Sequence, residues 1–162
     1  MGWASSAIYR QFTADALAPT ASFAPNLSTG GTWTAPLYNT TPTPDNTVTA
    51  ANSAYGAGVW AGNEVTDTNW PAKGRPLTYS PATRWTSTST YVMFDSDDTA
   101  GAGNVTLAGV FGDLVFDDGK TTPVTDQGLA YHYFGGTQGV TAGTFTIVWH
   151  ANGVARWTHT PA

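Results

Sequence analysis

Residues 144–150 read Thr-Phe-Thr-Ile-Val-Trp-His, with Phe145, Ile147 and Trp149 alternating with Thr144, Thr146 and Val148. A period of two is the pattern of a strand with one buried face. A second run over 154–158 follows Ala151-Asn152-Gly153, where Asn-Gly supplies the left-handed positions of a hairpin turn. The two runs together predict a closing hairpin. Upstream, the apolar runs at 91–95, 105–111, 114–116 and 129–134 predict further strands, with Gly112-Asp113 as a break and Asp117-Asp118-Gly119 as a tight turn. Residues 32–39 predict a strand with Trp33, Ala35 and Leu37 on one face and Thr34, Pro36 and Tyr38 on the other. Pro36 assigns that strand to a sheet edge or a bulge.

A helical period occurs in one place. Ile8, Phe12 and Ala16 fall four apart with Tyr9 beside them, which predicts a short amphipathic helix over 7–17 that stops by Pro19. Residues 18–31 hold Pro19, Pro25, Asn26, Gly30 and Gly31 and read as a loop or arm. Residues 40–62 form a long Thr/Pro/Asn/Ala segment, and its Tyr55, Val59 and Trp60 favour order by contact over disorder. Residues 63–78 contain the sole glutamate, Glu64, together with Lys73, Arg75, Trp70-Pro71 and Pro76. Two prolines exclude a helix interior or a central strand there, so an ordered connection pinned by Trp70 is expected.

About seven or eight short strands separated by turn signals predict an all-β fold. The expected architecture is a single antiparallel β-sandwich, Ig-like or jelly-roll-like, with a short N-terminal helix and long ordered loops. One domain is expected over 1–162, with residues 1–31 as helix and arm. Composition agrees, since charged residues make up 10% of the chain against about a quarter in typical domains.

Charge and motif content remove several functions. A net charge of −5 with six scattered Lys and Arg gives no basic stripe for phosphate, so no nucleic-acid partner is expected. The chain has no cysteine, hence no disulfide or thiolate metal site. No apolar run approaches the roughly 20 residues that span a bilayer, and the start lacks a signal-type pattern, so a soluble, unprocessed chain without a membrane partner is expected. Met1-Gly2-Trp3-Ala4-Ser5-Ser6 fits a permissive myristoylation template but brings no basic cluster as a second membrane signal.

Catalytic and metal patterns are equally thin. There is no Gly-x-Ser-x-Gly, and His132, His150 and His159 lie in or beside strands without metal-ligand spacing. Glu64 and the aspartates could be paired for glycoside hydrolysis, but nothing selects a pair. Asp95, Asp97 and Asp98 resemble a calcium loop superficially. The glycine falls one position late and Thr106 stands where the loop needs glutamate, so a solvated turn is the better reading and whether a cation binds stays open. No cofactor and no catalytic residue is expected.

Seven tryptophans and seven tyrosines on a weakly charged β scaffold also permit a carbohydrate-binding surface. Against a sugar surface, Trp149 and Trp157 lie in the final hairpin and are expected in the core, whereas Trp33, Trp60, Trp70 and Trp85, in less regular sequence, are expected at a core edge or a protein interface. Rows of exposed tryptophan would favour sugar, and tryptophan buried between chains would favour assembly.

Several phrases taken in order carry a resemblance. They are Leu-Tyr-Asn-Thr-Thr-Pro-Thr-Pro-Asp at 37–45, Tyr-Gly-Ala-Gly-Val-Trp at 55–60, Asn-Glu-Val at 63–65, Asn-Trp-Pro-Ala-Lys-Gly-Arg-Pro-Leu at 69–77 and Thr-Ala-Gly-Thr-Phe-Thr-Ile-Val-Trp at 141–149. From about Ile8 onwards the chain resembles small β-rich structural proteins of tailed bacteriophages. The resemblance implies a virion component without catalytic residues. A capsid decoration or cement protein is favoured, with a minor tail, tail-tip or adsorption protein as the alternative and a carbohydrate-binding module as a third reading. The implied partners are major capsid protein subunits and copies of the chain itself in a homo-oligomer such as a trimer, with a host surface glycan as a further option. Expected contacts are Trp33, Tyr38, Tyr55, Trp60 and Trp70, with Arg10 and Arg75 as polar anchors.

Overall fold

The computed structural model describes residues 2–18, 27, 32–78 and 85–159. Strand β1 (Ala7–Ile8) precedes helix α1 (Arg10–Leu17), and β2 (Trp33–Ala35) and β3 (Leu37–Tyr38) follow. Helix α2 (Ala50–Ser53) and a 3-10 turn at Gly58–Trp60 lead to β4 (Glu64–Val65) and β5 (Arg75–Pro76). Strands β6 (Trp85–Ser87), β7 (Tyr91–Phe94), β8 (Thr99–Ala100), β9 (Val105–Asp117), β10 (Gly128–Gly143), β11 (Thr146–Ile147) and β12 (Ala155–Thr158) complete the order.

The fold is all-β with antiparallel sheets and short helices, as the turn-rich pattern predicts. A seven-stranded sheet runs β1-β10-β9-β2-β5, with β3 pairing β9 and β4. A three-stranded sheet runs β12-β7-β6, and β8 pairs β11. Trp33 of β2 joins the two larger sheets, because its ring lies 5.4 Å from Phe94 of β7 and 6.1 Å from Phe12 of α1. Phe12 is the buried residue of the helix, and Trp33 and Phe94 are also enclosed. A second aromatic cluster packs Trp3, Tyr9, Tyr38, Trp60 and Tyr131 edge to face. Its polar atoms are satisfied internally: Trp60 Nε1 donates to the Tyr9 hydroxyl at 2.7 Å and Trp3 Nε1 to the Asn39 carbonyl at 2.8 Å. Burial pushes the Tyr9 and Tyr38 hydroxyls far above the ordinary phenol range, so both stay protonated, and Tyr38 donates to the Trp60 carbonyl at 3.4 Å.

Several local expectations are corrected. The helix starts at Arg10, because Ala7 and Ile8 pair with Tyr131 and Ala130 instead. Gly112-Asp113 does not break a strand. β9 runs through it, since Gly112 and Asp113 pair with β10 on one side and β3 on the other. A side chain at Gly112 would strike the His132 carbonyl at 2.2 Å and the Trp3 ring at 2.5 Å, so glycine serves close packing there. Pro36 is not on an edge strand; it sits between β2 and β3, both of which pair β9, and its carbonyl accepts Leu114 N–H at 3.2 Å. The final hairpin does not form. The turn exists, with Gly153 N–H on the His150 carbonyl at 2.7 Å and Gly153 at φ 76°, but β11 pairs β8 and β12 pairs β7. The loop reading of 18–31 lies outside the described residues except at Ala18 and Leu27, as does the side chain of Trp85.

Residues 63–78 are an ordered connection held by Trp70, which is fully enclosed and donates from Nε1 to the Ala35 carbonyl at 3.3 Å. Its path needs left-handed backbone at Asn63 (φ 68°), Lys73 (φ 70°) and Gly74 (φ 76°). At Gly74 a Cβ would lie 2.2 Å from the Ala35 carbonyl group, so no other residue fits.

Candidate functional site

Two polar centres and one groove stand out. The first centre is built on Glu64 in β4. Its Oε2 accepts the Tyr55 hydroxyl at 2.7 Å, and its Oε1 accepts the Lys73 backbone N–H at 2.9 Å. Burial raises the Glu64 carboxyl above its usual range against the lowering effect of those two bonds, and burial with the Glu64 contact moves Tyr55 to about 12. The Lys73 ammonium bonds the Asp118 carboxylate and lies 3.1 Å from Asp126, with the Tyr55 ring 5.8 Å away. These groups tie the 63–78 connection to the loop between β9 and β10. Each functional atom of Glu64 is bound by a neighbour that holds the fold, which is a structural use.

The second centre is His132 of β10. Its Nδ1 lies 2.6 Å from Asp113 Oδ1 and its Nε2 lies 2.8 Å from the Val154 carbonyl. A carboxylate and a carbonyl both accept, so these surroundings favour the doubly protonated ring, in which both nitrogens donate. Burial pulls the His132 pKa down, but the adjacent Asp113 charge and the two hydrogen bonds outweigh it and leave the value raised. Asp113 is fully buried, and its Oδ2 has no hydrogen-bond partner among the described residues.

A Ser-His-Asp reading meets an obstacle here. Ser6 lies by the same groove, but its hydroxyl accepts Tyr133 N–H at 3.0 Å, and the histidine nitrogen that would take a serine proton is occupied by Val154. His132 instead clamps the β12 approach against β10.

The groove, of about 520 Å³, runs between the outer part of β10 and residues 145–150. His132, Tyr133, Phe134 and Gln138 line it from β10, and Phe145, Trp149 and His150 line it from the other segment. Among the described residues no Asp, Glu, Lys or Arg lines it. Trp149 is half-buried, with Nε1 donating to Thr99 Oγ1 at 3.1 Å and its backbone N–H to Asp98 Oδ1 at 3.3 Å.

The expected contact residues fall in different places. Trp33, Tyr38, Trp60 and Trp70 are each at most 2% exposed, so on the folded chain these rings fill its own core. Tyr55 is half-buried, with its ring stacked 4.9 Å from Phe116. Arg10 is exposed at the start of α1, and Arg75 is half-buried with Nε donating to the Ala100 carbonyl at 3.3 Å. The structure therefore does not bring these seven together as one surface. Asp95 Oδ1 accepts Ser96 N–H at 2.9 Å and Asp98 holds Trp149, so the acidic run is used in local turns and packing. Among the described residues no three His, Asp or Glu gather as a metal site.

Sequence reading did not anticipate the groove. Trp149 reads as core from its alternation, and Tyr133 and Phe134 read only as strand residues. The available signal was Gly135-Gly136 directly after Phe134, a step that ends regular pairing. Comparisons of the chain with protein-family models, with curated proteins and with solved structures return no match.

Proposed function

We propose that this chain is a non-enzymatic bacteriophage virion protein that decorates the assembled capsid and stabilises it. The reading comes from the phrasing of residues 37–77 and 141–149. One structural observation supports it: the proline-rich connections over 40–62 and 63–78 are held in place by enclosed Trp60 and Trp70. Such segments form a fixed outer surface at little entropic cost on binding. A decoration protein needs that property, because it works by binding assembled shell better than free subunits and so stabilises the shell by mass action. The half-buried and exposed groups Tyr55, Arg75 and Arg10 are the members of the expected contact set that remain within reach of a shell subunit.

The test is mass spectrometry of purified particles, counting copies against the major shell protein. Hundreds of copies, lost together with shell resistance to heat, is the expected result. A few copies per particle would move the chain to the tail, and its absence from particles would overturn the proposal.

A further inference from the structure

We propose that the groove between the outer part of β10 and residues 145–150 binds a neutral carbohydrate, a short run of uncharged sugar rings. The proposal goes beyond the capsid reading and stands on the groove alone.

Size and lining agree. About 520 Å³ is within the range of roughly 300–1,000 Å³ that small ligands occupy. Tyr133, Phe134, Phe145 and Trp149 offer ring surface, while Gln138, Thr146 and His150 offer hydrogen-bonding groups. A sugar ring presents the matching pattern, with C–H faces that lie on aromatic planes and hydroxyls around the rim.

Charge narrows the class. Among the described residues the lining carries no Asp, Glu, Lys or Arg, and the half-buried His132 that lines the groove is paired with Asp113 and has both ring nitrogens engaged, by Asp113 and by the Val154 carbonyl. Among the described residues the groove offers no lysine or arginine to pair with a phosphate or a carboxylate. The rings are also held in advance: Trp149 is fixed by Thr99 and Asp98 and meets the His132 ring edge-on at 5.2 Å, and Tyr133 stacks on Phe111 at 5.9 Å. Pre-set aromatic side chains lose little freedom on binding. A peptide added as a strand is poorly served, because β10 changes register between Tyr133 and Gln138, with Gly135 and Gly136 at φ 77° and 152°.

The experiment probes the intact chain against an array of neutral gluco-, galacto-, manno- and N-acetylated oligosaccharides, with hits titrated by calorimetry. Submillimolar binding to at least one neutral glycan is expected. Trp149→Ala should weaken it about tenfold or more, and Gln138→Ala and His150→Ala, at exposed positions, should weaken it several-fold without altering the fold. Should Trp149→Ala misfold, the other two substitutions carry the test. Thr121→Ala, on the exposed loop after β9, should leave binding unchanged. No retention of any neutral glycan at millimolar concentration, retention of anionic glycans only, or binding that survives both Gln138→Ala and His150→Ala would overturn the proposal. Particle copy number is read separately, so either proposal can fail alone.

Discussion

The two long strands β9 and β10 are built differently at their two ends. At one end Leu114, Val115 and Phe116 pair with Tyr131, Ala130 and Gly128, and every residue from Gly112 to Asp117 is buried. At the other end Val105, Leu107 and Val110 are buried while Thr106 and Ala108 between them are exposed, and across from them Gln138 and Gly139 are exposed too. The first end has β2 and β3 alongside β9 and aromatic clusters beside it; the second carries the groove on the outer stretch of β10. A single hairpin thus supplies both a rigid centre and an accessible margin, and stability and binding can change separately.

That contrast can be broken most strongly from the enclosed end. Leu114→Ala or Trp33→Ala should cost about 3–5 kcal/mol, read as a lower urea midpoint with unchanged slope. Gly74→Ala should be of the same order or prevent folding, since its backbone is left-handed and its Cβ would enter the Ala35 carbonyl group. Next in size, Glu64→Ala should cost about 1–3 kcal/mol by stranding the Tyr55 hydroxyl and the Lys73 N–H, whereas Glu64→Gln should retain most of the stability.

A pH effect sits at the junction of the two ends. The folded pKa of His132 is raised above its ordinary 6.5, so its stabilising contribution is full below that value and is lost as pH rises through the raised one. Denaturant midpoints measured across that window should fall with rising pH, and Asp113→Asn should flatten the dependence. The smallest effect belongs to the exposed margin. Thr141→Ala should stay within about 0.5 kcal/mol of the parent, and amides near 138–143 should exchange with deuterium sooner than those at 129–131.

Much of this architecture is readable from the chain. The alternation over 144–150 survives residue by residue as burial, with Ile147 enclosed, Phe145 and Trp149 half-covered and the threonines exposed, although only Thr146 and Ile147 pair as strand. Local periodicity reports which side faces inward. It does not report which strand lies alongside, and so the hairpin expected around Asn152-Gly153 becomes two strands with separate partners, β8 and β7. The prolines and Trp70 correctly marked 63–78 as a fixed connection. The same tryptophan signal misdirected the contact residues, because a tryptophan in irregular sequence marks a place where loop meets core as readily as a place where chain meets chain. The paired ring of His132 could not be anticipated, since Asp113 and Val154 are brought to it only by folding.

One bond described by the last strand's tryptophan has a further meaning for how the molecule is made. Trp157 Nε1 donates to Thr13 Oγ1 at 3.1 Å, linking residues 144 positions apart, and β1 closes onto β10 over a similar span. Closures of that reach slow the search for the native state and cannot occur until nearly all of the intervening polypeptide has left the ribosome. The pairing of β1 and the Trp157 closure onto α1 must therefore wait for sequence synthesised much later, even though Phe12 can meet Trp33 early, and the yield of folded protein should respond to translation speed and temperature more than its final stability would suggest.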